Sequence, residues 1–197
     1  MGFNHLQKFA MKPFKGVTQT NTALIIVDVI NSCAHEDFEI PQWNIHFTKI
    51  RKMIPKLNGF IEKFRSHYTG PVIFGKTVPW RKEFLASNVN ELYEQEKYSY
   101  YSKDTSGRSE EFYGIKPQEG DLIFDKKTND VLTKNNLVTE LEQRKIKYLV
   151  VTGVFSDGCV LATVLGGFAK GFNIIVPRDL CETTDSPTRQ LIQQKTV

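Results

Sequence analysis

Apolar residues gather in five short unbroken runs separated by longer amphipathic stretches. The runs are residues 22–28 (TALIIVD), 72–76 (VIFGK), 122–125 (LIFD), 148–152 (YLVVT) and 172–176 (FNIIV). None alternates polar with apolar, so each predicts a strand buried on both faces, as in a parallel sheet covered by helices. Between the runs the spacing becomes helical. Residues 55–67 carry Leu57, Phe60, Ile61 and Phe64 on one face, with Pro55 expected in the first turn and Gly70-Pro71 as the stop. Residues 132–144 carry Leu132, Leu137 and Leu141. Residues 159–170 are apolar nearly all round, which predicts a buried helix ended by Gly171. Strands alternating with helices predict a three-layer α/β/α, Rossmann-like fold with a central, mostly parallel sheet and right-handed crossovers.

Two stretches stand outside this alternation. Residues 1–20 read as a peripheral arm before a single domain of residues 21–197. Residues 80–120 are polar, contain Tyr98, Tyr100, Tyr101 and Tyr113, and carry no strand signal. They read either as a helical insertion or as a lid, and the tyrosines either as half-buried anchors or as stacking groups for a ligand.

Composition narrows the function classes. A chain of 197 residues with 40% hydrophobic and 24% charged residues is globular and fits one domain. The net charge of +4 is scattered, so no nucleic-acid partner is expected. No apolar run approaches the length of a membrane span, and residues 1–17 lack the apolar core of a signal peptide. Leu6 also breaks the myristoylation pattern that Met1-Gly2 would begin. Three cysteines, an odd number without close spacing, point to free thiols and a cytoplasmic location. His5, His35, His46 and His67 have no metal-ligand spacing, so no metal is expected.

Ligands of parallel α/β sheets bind beyond the carboxyl ends of the strands, so the chemistry is sought there. The first strand ends in Asp28 and the third in Asp125-Lys126-Lys127. The fourth runs through Thr152-Gly153 into Val154-Phe155-Ser156-Asp157-Gly158-Cys159. A carboxylate, an amine and a thiol thus converge on one edge. Taken singly, each has a plain structural reading: Cys159 as a buried thiol, Asp28 as a loop cap, the lysines as solvated. Ser156-Asp157-Gly158 reads as a helix N-cap, which would put Cys159 in the first helical turn. There the helix dipole should lower the thiol pKa, and free N–H groups could hold an oxyanion. No glycine-rich phosphate loop competes for the edge.

Together these segments resemble the isochorismatase-like cysteine hydrolases, which include nicotinamidases, N-carbamoylsarcosine amidase and ureidoacrylate amidohydrolases. Residues 23–31 (ALIIVDVIN) are similar to the family's apolar strand ending in Asp-x-x-Asn. Residues 120–126 (GDLIFDK), followed by Leu137, are similar to the strand that ends in its lysine. Residues 150–160 (VVTGVFSDGCV), then Thr163, Ala169 and Gly171, are similar to its G-V-x-x-D-x-C-V block, the most specific of the three. Val176-Pro177-Arg178-Asp179 resembles the closing strand and its acid. The likeness covers residues 20–185.

The resemblance implies a hydrolase that cleaves a C–N bond of a small amide or ureido-type substrate through a thioester, without a cofactor. It implies Asp28, Lys126 and Cys159 as the catalytic triad, with Lys126 rather than Lys127 facing the pocket. It further implies a cis peptide at Val154-Phe155 and an oxyanion hole made by the N–H groups of Phe155 and Cys159. Asn31 and Trp80 become candidates for binding substrate, and a homo-oligomer, dimer or tetramer, is expected. The metal-binding Asp-x-His of nicotinamidases has no counterpart, since Asn44-Ile45-His46 stands in this chain and no histidine follows Trp80. Leu132 replaces a usual phenylalanine, and the chain ends soon after residues 189–192, early for the family's last helix. Cys33 and Cys181 are expected only to pack. Two alternatives remain at this level: an idle binding or scaffold member of the fold, and an isochorismatase-type vinyl-ether hydrolase.

Overall fold

The computed structural model describes residues 16–94, 101–133 and 135–196. The strands are β1 (Thr22–Val27), β2 (Val72–Thr77), β3 (Leu122–Lys126), β4 (Tyr148–Val154), β5 (Asn173–Ile175) and β6 (Cys181–Glu182). The helices are α1 (Thr48–His67), α2 (Ser87–Glu94), α3 (Asn135–Gln143), α4 (Cys159–Ala169) and α5 (Pro187–Thr196). The sheet order is β3-β2-β1-β4-β5, with β6 joined to β4, and every pairing between these strands is parallel. The predicted three-layer α/β fold is therefore present, with a sheet more uniformly parallel than expected.

The side-chain period of two sends alternate residues of β1 to opposite layers. Leu24 and Ile26 pack with Ile50, Leu57, Ile61 and Phe64 of α1. Ala23, Ile25 and Val27 pack with Leu137, Leu141 and Val160 of α3 and α4. The chain winds outward from β1 through β2 to β3, then crosses back to β4 on the other side of β1. The strand order reverses between β1 and β4, which opens a crevice at their carboxyl ends. Gly153 makes that junction possible. It pairs with Val27 at φ +107, and a Cβ there would lie 2.2 Å from the Val27 carbonyl oxygen.

Several local expectations are corrected. Helix α1 begins at Thr48, so Pro55 lies inside it rather than in its first turn. Ile50, Met53 and Ile54 are at most 5% exposed. Burying three such side chains at about 1.5–3 kcal/mol each outweighs the roughly 3 kcal/mol that an interior proline costs. Asp185 also accepts hydrogen bonds from the N–H groups of Thr48 and Lys49, both at 3.1 Å. Helix α4 is not buried all round. Val160, Thr163 and Gly167 face the sheet, but Leu165 is 61% and Phe168 74% exposed. A helix on an outer layer covers the sheet with one stripe only. Strand β5 stops at Ile175, and the short β6 was not visible in the pattern. Asp179 sits in an exposed turn 4.0 Å from Lys56 rather than at a strand end.

In the 80–120 segment, α2 bears out a helical insertion in part. Residues 1–15 of the expected arm, and Tyr98 and Tyr100, lie outside the described residues. Downstream, residues 108–113 pack against the loop after β1. The N–H of Asn31 donates to the Glu111 carbonyl at 2.9 Å, and that of Tyr113 to the Val29 carbonyl at 3.0 Å.

Candidate active site

Asp28 is the first residue past β1, and its φ of 49 lies in the left-handed region. Aspartate tolerates that region better than most residues, and such an outlier is held by its surroundings. The Asp28 N–H donates to the Gly75 carbonyl at 2.8 Å, and its own carbonyl accepts from Ile30 at 2.8 Å. Both bonds turn the carboxylate inward, where Asp28 is 3% exposed.

Lys126 ends β3 and is fully buried, whereas its neighbour Lys127 is exposed. Its ammonium donates to three acceptors: Asp28 Oδ2 at 2.7 Å, the Thr128 carbonyl at 3.2 Å and Cys159 Sγ at 3.3 Å. An ammonium has three N–H groups, so every one is used. Burial alone would lower the Lys126 pKa, but the Asp28 charge and the hydrogen bonds to Asp28 and Cys159 hold it above the usual lysine range. Lys126 is therefore a fixed cation and cannot serve as a base.

Cys159 opens α4 and is half-buried. Its thiol pKa is raised, first by burial and then by the Asp28 carboxylate, against the opposing pull of Lys126. The shift runs opposite to the lowering expected at a helix N-terminus, because burial and the Asp28 carboxylate raise the pKa. The site thus gathers a thiol of raised pKa and the Asp28 carboxyl group around the Lys126 ammonium. Asp28 Oδ1 is buried and has no hydrogen-bond partner among the described residues. An acceptor without a donor is costly when buried, and the thiol proton is the chemistry it can satisfy.

The peptide Val154-Phe155 is cis. The N–H groups of Phe155 and Cys159 have no acceptor among the described residues, while the Phe155 carbonyl accepts from Gly158 at 2.9 Å and Val160 at 3.2 Å. The N-cap residue of α4 is Gly158, and neither Ser156 nor Asp157 caps the helix with its side chain.

The other sequence candidates lie differently. Asn31 is 7% exposed, and its amide donates to the Arg108 carbonyl at 2.8 Å, so it ties the β1 loop to the 108–113 segment. Trp80 is half-buried, and its carbonyl accepts from Ser102 at 2.7 Å. His46 pairs with Glu39 at 2.8 Å, and no metal-holding group of three His, Cys, Asp or Glu occurs among the described residues.

One group was missed in the sequence. Asn129 is exposed, with Oδ1 3.7 Å from Cys159 Sγ. Nothing local marks Asn129. Cys33 packs against the core as expected, and burial and the Asp28 charge push its thiol up to about 12. Grooves along α1, lined by Phe60 and Lys63, share no residue with this site.

The family model for the isochorismatase domain matches residues 22–193. N-carbamoylsarcosine amidase of Arthrobacter sp is 37% identical over 65 residues, 33% of this chain and 25% of that protein. The crystal structure of a cysteine hydrolase from Pseudomonas syringae pv. phaseolicola 1448A superposes with a TM-score of 0.75 at 17% identity, covering 94% of this chain and 88% of that one. That of N-carbamoylsarcosine amidase from Thermoplasma acidophilum gives 0.64 at 21% identity, covering 89% and 91%. At such identities the structural likenesses speak for the fold.

Proposed function

Because the chain belongs to the isochorismatase family of hydrolases, we propose that it is a cysteine-dependent amidohydrolase acting on the C–N bond of a small amide or ureido-type substrate. As Cys159 Sγ attacks the carbonyl carbon, its proton passes to Asp28. The N–H groups of Phe155 and Cys159 receive the developing oxyanion. Asp28 gives the proton to the leaving nitrogen, the C–N bond breaks, and a thioester remains on Cys159. Water, losing a proton to Asp28, cleaves the thioester, and the proton returns to the sulfur. Lys126 stays protonated throughout and balances whichever of Asp28 and Cys159 carries the negative charge. No metal or other cofactor takes part.

The observation that carries this reading is the cluster around one buried ammonium: Lys126 Nζ lies 2.7 Å from Asp28 Oδ2 and 3.3 Å from Cys159 Sγ, and Asp28 Oδ1 is buried without a partner among the described residues. The amidases among the relatives make amides and N-carbamoyl compounds the first substrates to try. Ammonia release from a panel of small primary amides and N-carbamoyl acids is the test, with Cys159→Ala as the control. Release that persists in C159A, or no release from any compound, counts against the reading.

The exposed Leu165 and Phe168 of α4 fit burial in a homo-oligomer, dimer or tetramer. Light scattering of L165E/F168E should then report a smaller particle than the unaltered chain. The free thiols, Cys33, Cys159 and Cys181, fit a reducing cytoplasm.

A further inference from the structure

Asp157 stands two residues before the sulfur-bearing residue, where an aspartate ordinarily turns back on its own backbone. Its side chain can accept the N–H two positions on, here that of Cys159, in an Asx-turn. It does not do so. Arg189 of α5 holds the carboxylate from the other side, with Nε at 2.7 Å from Oδ2 and Nη2 at 2.8 Å from Oδ1. The hydroxyl of the fully buried Thr183 adds a bond to Oδ1 at 2.6 Å. The same guanidinium lies 4.5 Å above the Phe155 ring. A residue of the C-terminal helix thus holds two residues, Phe155 and Asp157, of the four-residue loop that links β4 to α4.

We propose that Arg189 is a positioning residue that keeps the Asp157 carboxylate off the N–H of Cys159, leaving that N–H free for the substrate's oxyanion. The inference rests on the hydrolase reading above. Its physical basis is competition. A carboxylate two residues before a free N–H at a helix N-terminus binds it unless a stronger donor intervenes. A bidentate guanidinium is such a donor. Without it, Asp157 would fill the oxyanion hole with a negative charge.

The probe is p-nitrophenyl acetate, with p-nitrophenolate release followed by stopped flow and the acetyl group located by peptide mass spectrometry. Arg189→Ala should slow acylation of Cys159 by about tenfold or more, since a lost oxyanion donor costs about a hundredfold. Saturation by the probe should change little. Alkylation of Cys159 by iodoacetamide, which develops no oxyanion, should change far less than acylation. Adding Asp157→Ala to R189A should restore much of the lost acylation rate, and guanidinium ion added to R189A should do likewise. A merely structural role predicts instead that the double variant is the slower of the two. Circular dichroism checks folding, and Arg189→Gln, which keeps part of the stem over Phe155, replaces R189A if that variant does not fold.

Acylation at the unaltered rate in the arginine variant overturns the inference alone. So does a double variant no faster than the single one. Absence of any acetyl group on Cys159 in the unaltered chain overturns the hydrolase reading, and this inference with it.

Discussion

The two halves of the sheet hold their parts of the site by opposite means. On the β1-β2-β3 side, Asp28 and Lys126 meet at 2.7 Å with almost no exposure, so neither can be removed without leaving the other buried and unpaired. On the β4-α4 side, Cys159 is half-buried at the mouth beside the exposed Asn129. Its loop is fixed from outside by the Asp157–Arg189 pair, whose arginine side chain is 30% exposed. The first half is a dry charge pair that sets protonation. The second is an adjustable cradle that meets the substrate. Substitutions in the first should therefore damage stability and chemistry together, while those in the second should separate them.

The largest effect is expected from Lys126→Ala. It leaves the Asp28 carboxylate buried without its cation, a change that costs about 3–5 kcal/mol in stability. Urea denaturation should show that loss, and turnover should become undetectable. Next comes Asp28→Asn, which separates two properties of the thiol. Removing the anion relieves one cause of the raised Cys159 pKa, so iodoacetamide should alkylate Cys159 faster at neutral pH. Turnover should nevertheless fall by about a hundredfold to ten-thousandfold, because the base is gone. A variant that loses both reactivities would instead mean that Asp28 already promotes the thiolate in the resting site.

A pH series sharpens the contrast. A thiol with a raised pKa is protonated at neutral pH, and its thiolate fraction grows as pH climbs past the ordinary value of 9.0. Alkylation of Cys159 should therefore keep rising from pH 7 to pH 10 without a plateau. A plateau below pH 7 would mean a thiolate already formed in the resting site. The smallest effects are expected from exhaustive EDTA treatment, which should leave turnover unchanged, and from Lys127→Ala. The exposed Lys127 should cost no more than about 0.5 kcal/mol.

How far the sequence revealed this site follows from the same division. Asp28 and Lys126 end apolar runs, a strand's period of two lets only one of two adjacent lysines turn inward, and the family resemblance pointed to Lys126, so both were legible. The position of Cys159 was legible from the Ser156-Asp157-Gly158 turn between β4 and α4. The raising of its pKa was not, since the Asp28 anion comes from the end of β1. Arg189 and Asn129 were invisible for a related reason. Their roles depend on where α5 and the loop after β3 fold back, 30 residues from Cys159 in each case. The turns of α1 before Pro55 were missed because tertiary burial, and a cap from distant Asp185, override local propensity.

The most direct test of the central claim is to trap the intermediate. The chain is mixed with an amide from which it releases ammonia, quenched in acid within the first turnover, digested and mapped by mass spectrometry. The account predicts an acyl group on the peptide containing Cys159, lost on treatment with neutral hydroxylamine and absent from C159A. An acyl group on Cys33 or Cys181 instead, or full ammonia release by C159A, would contradict it.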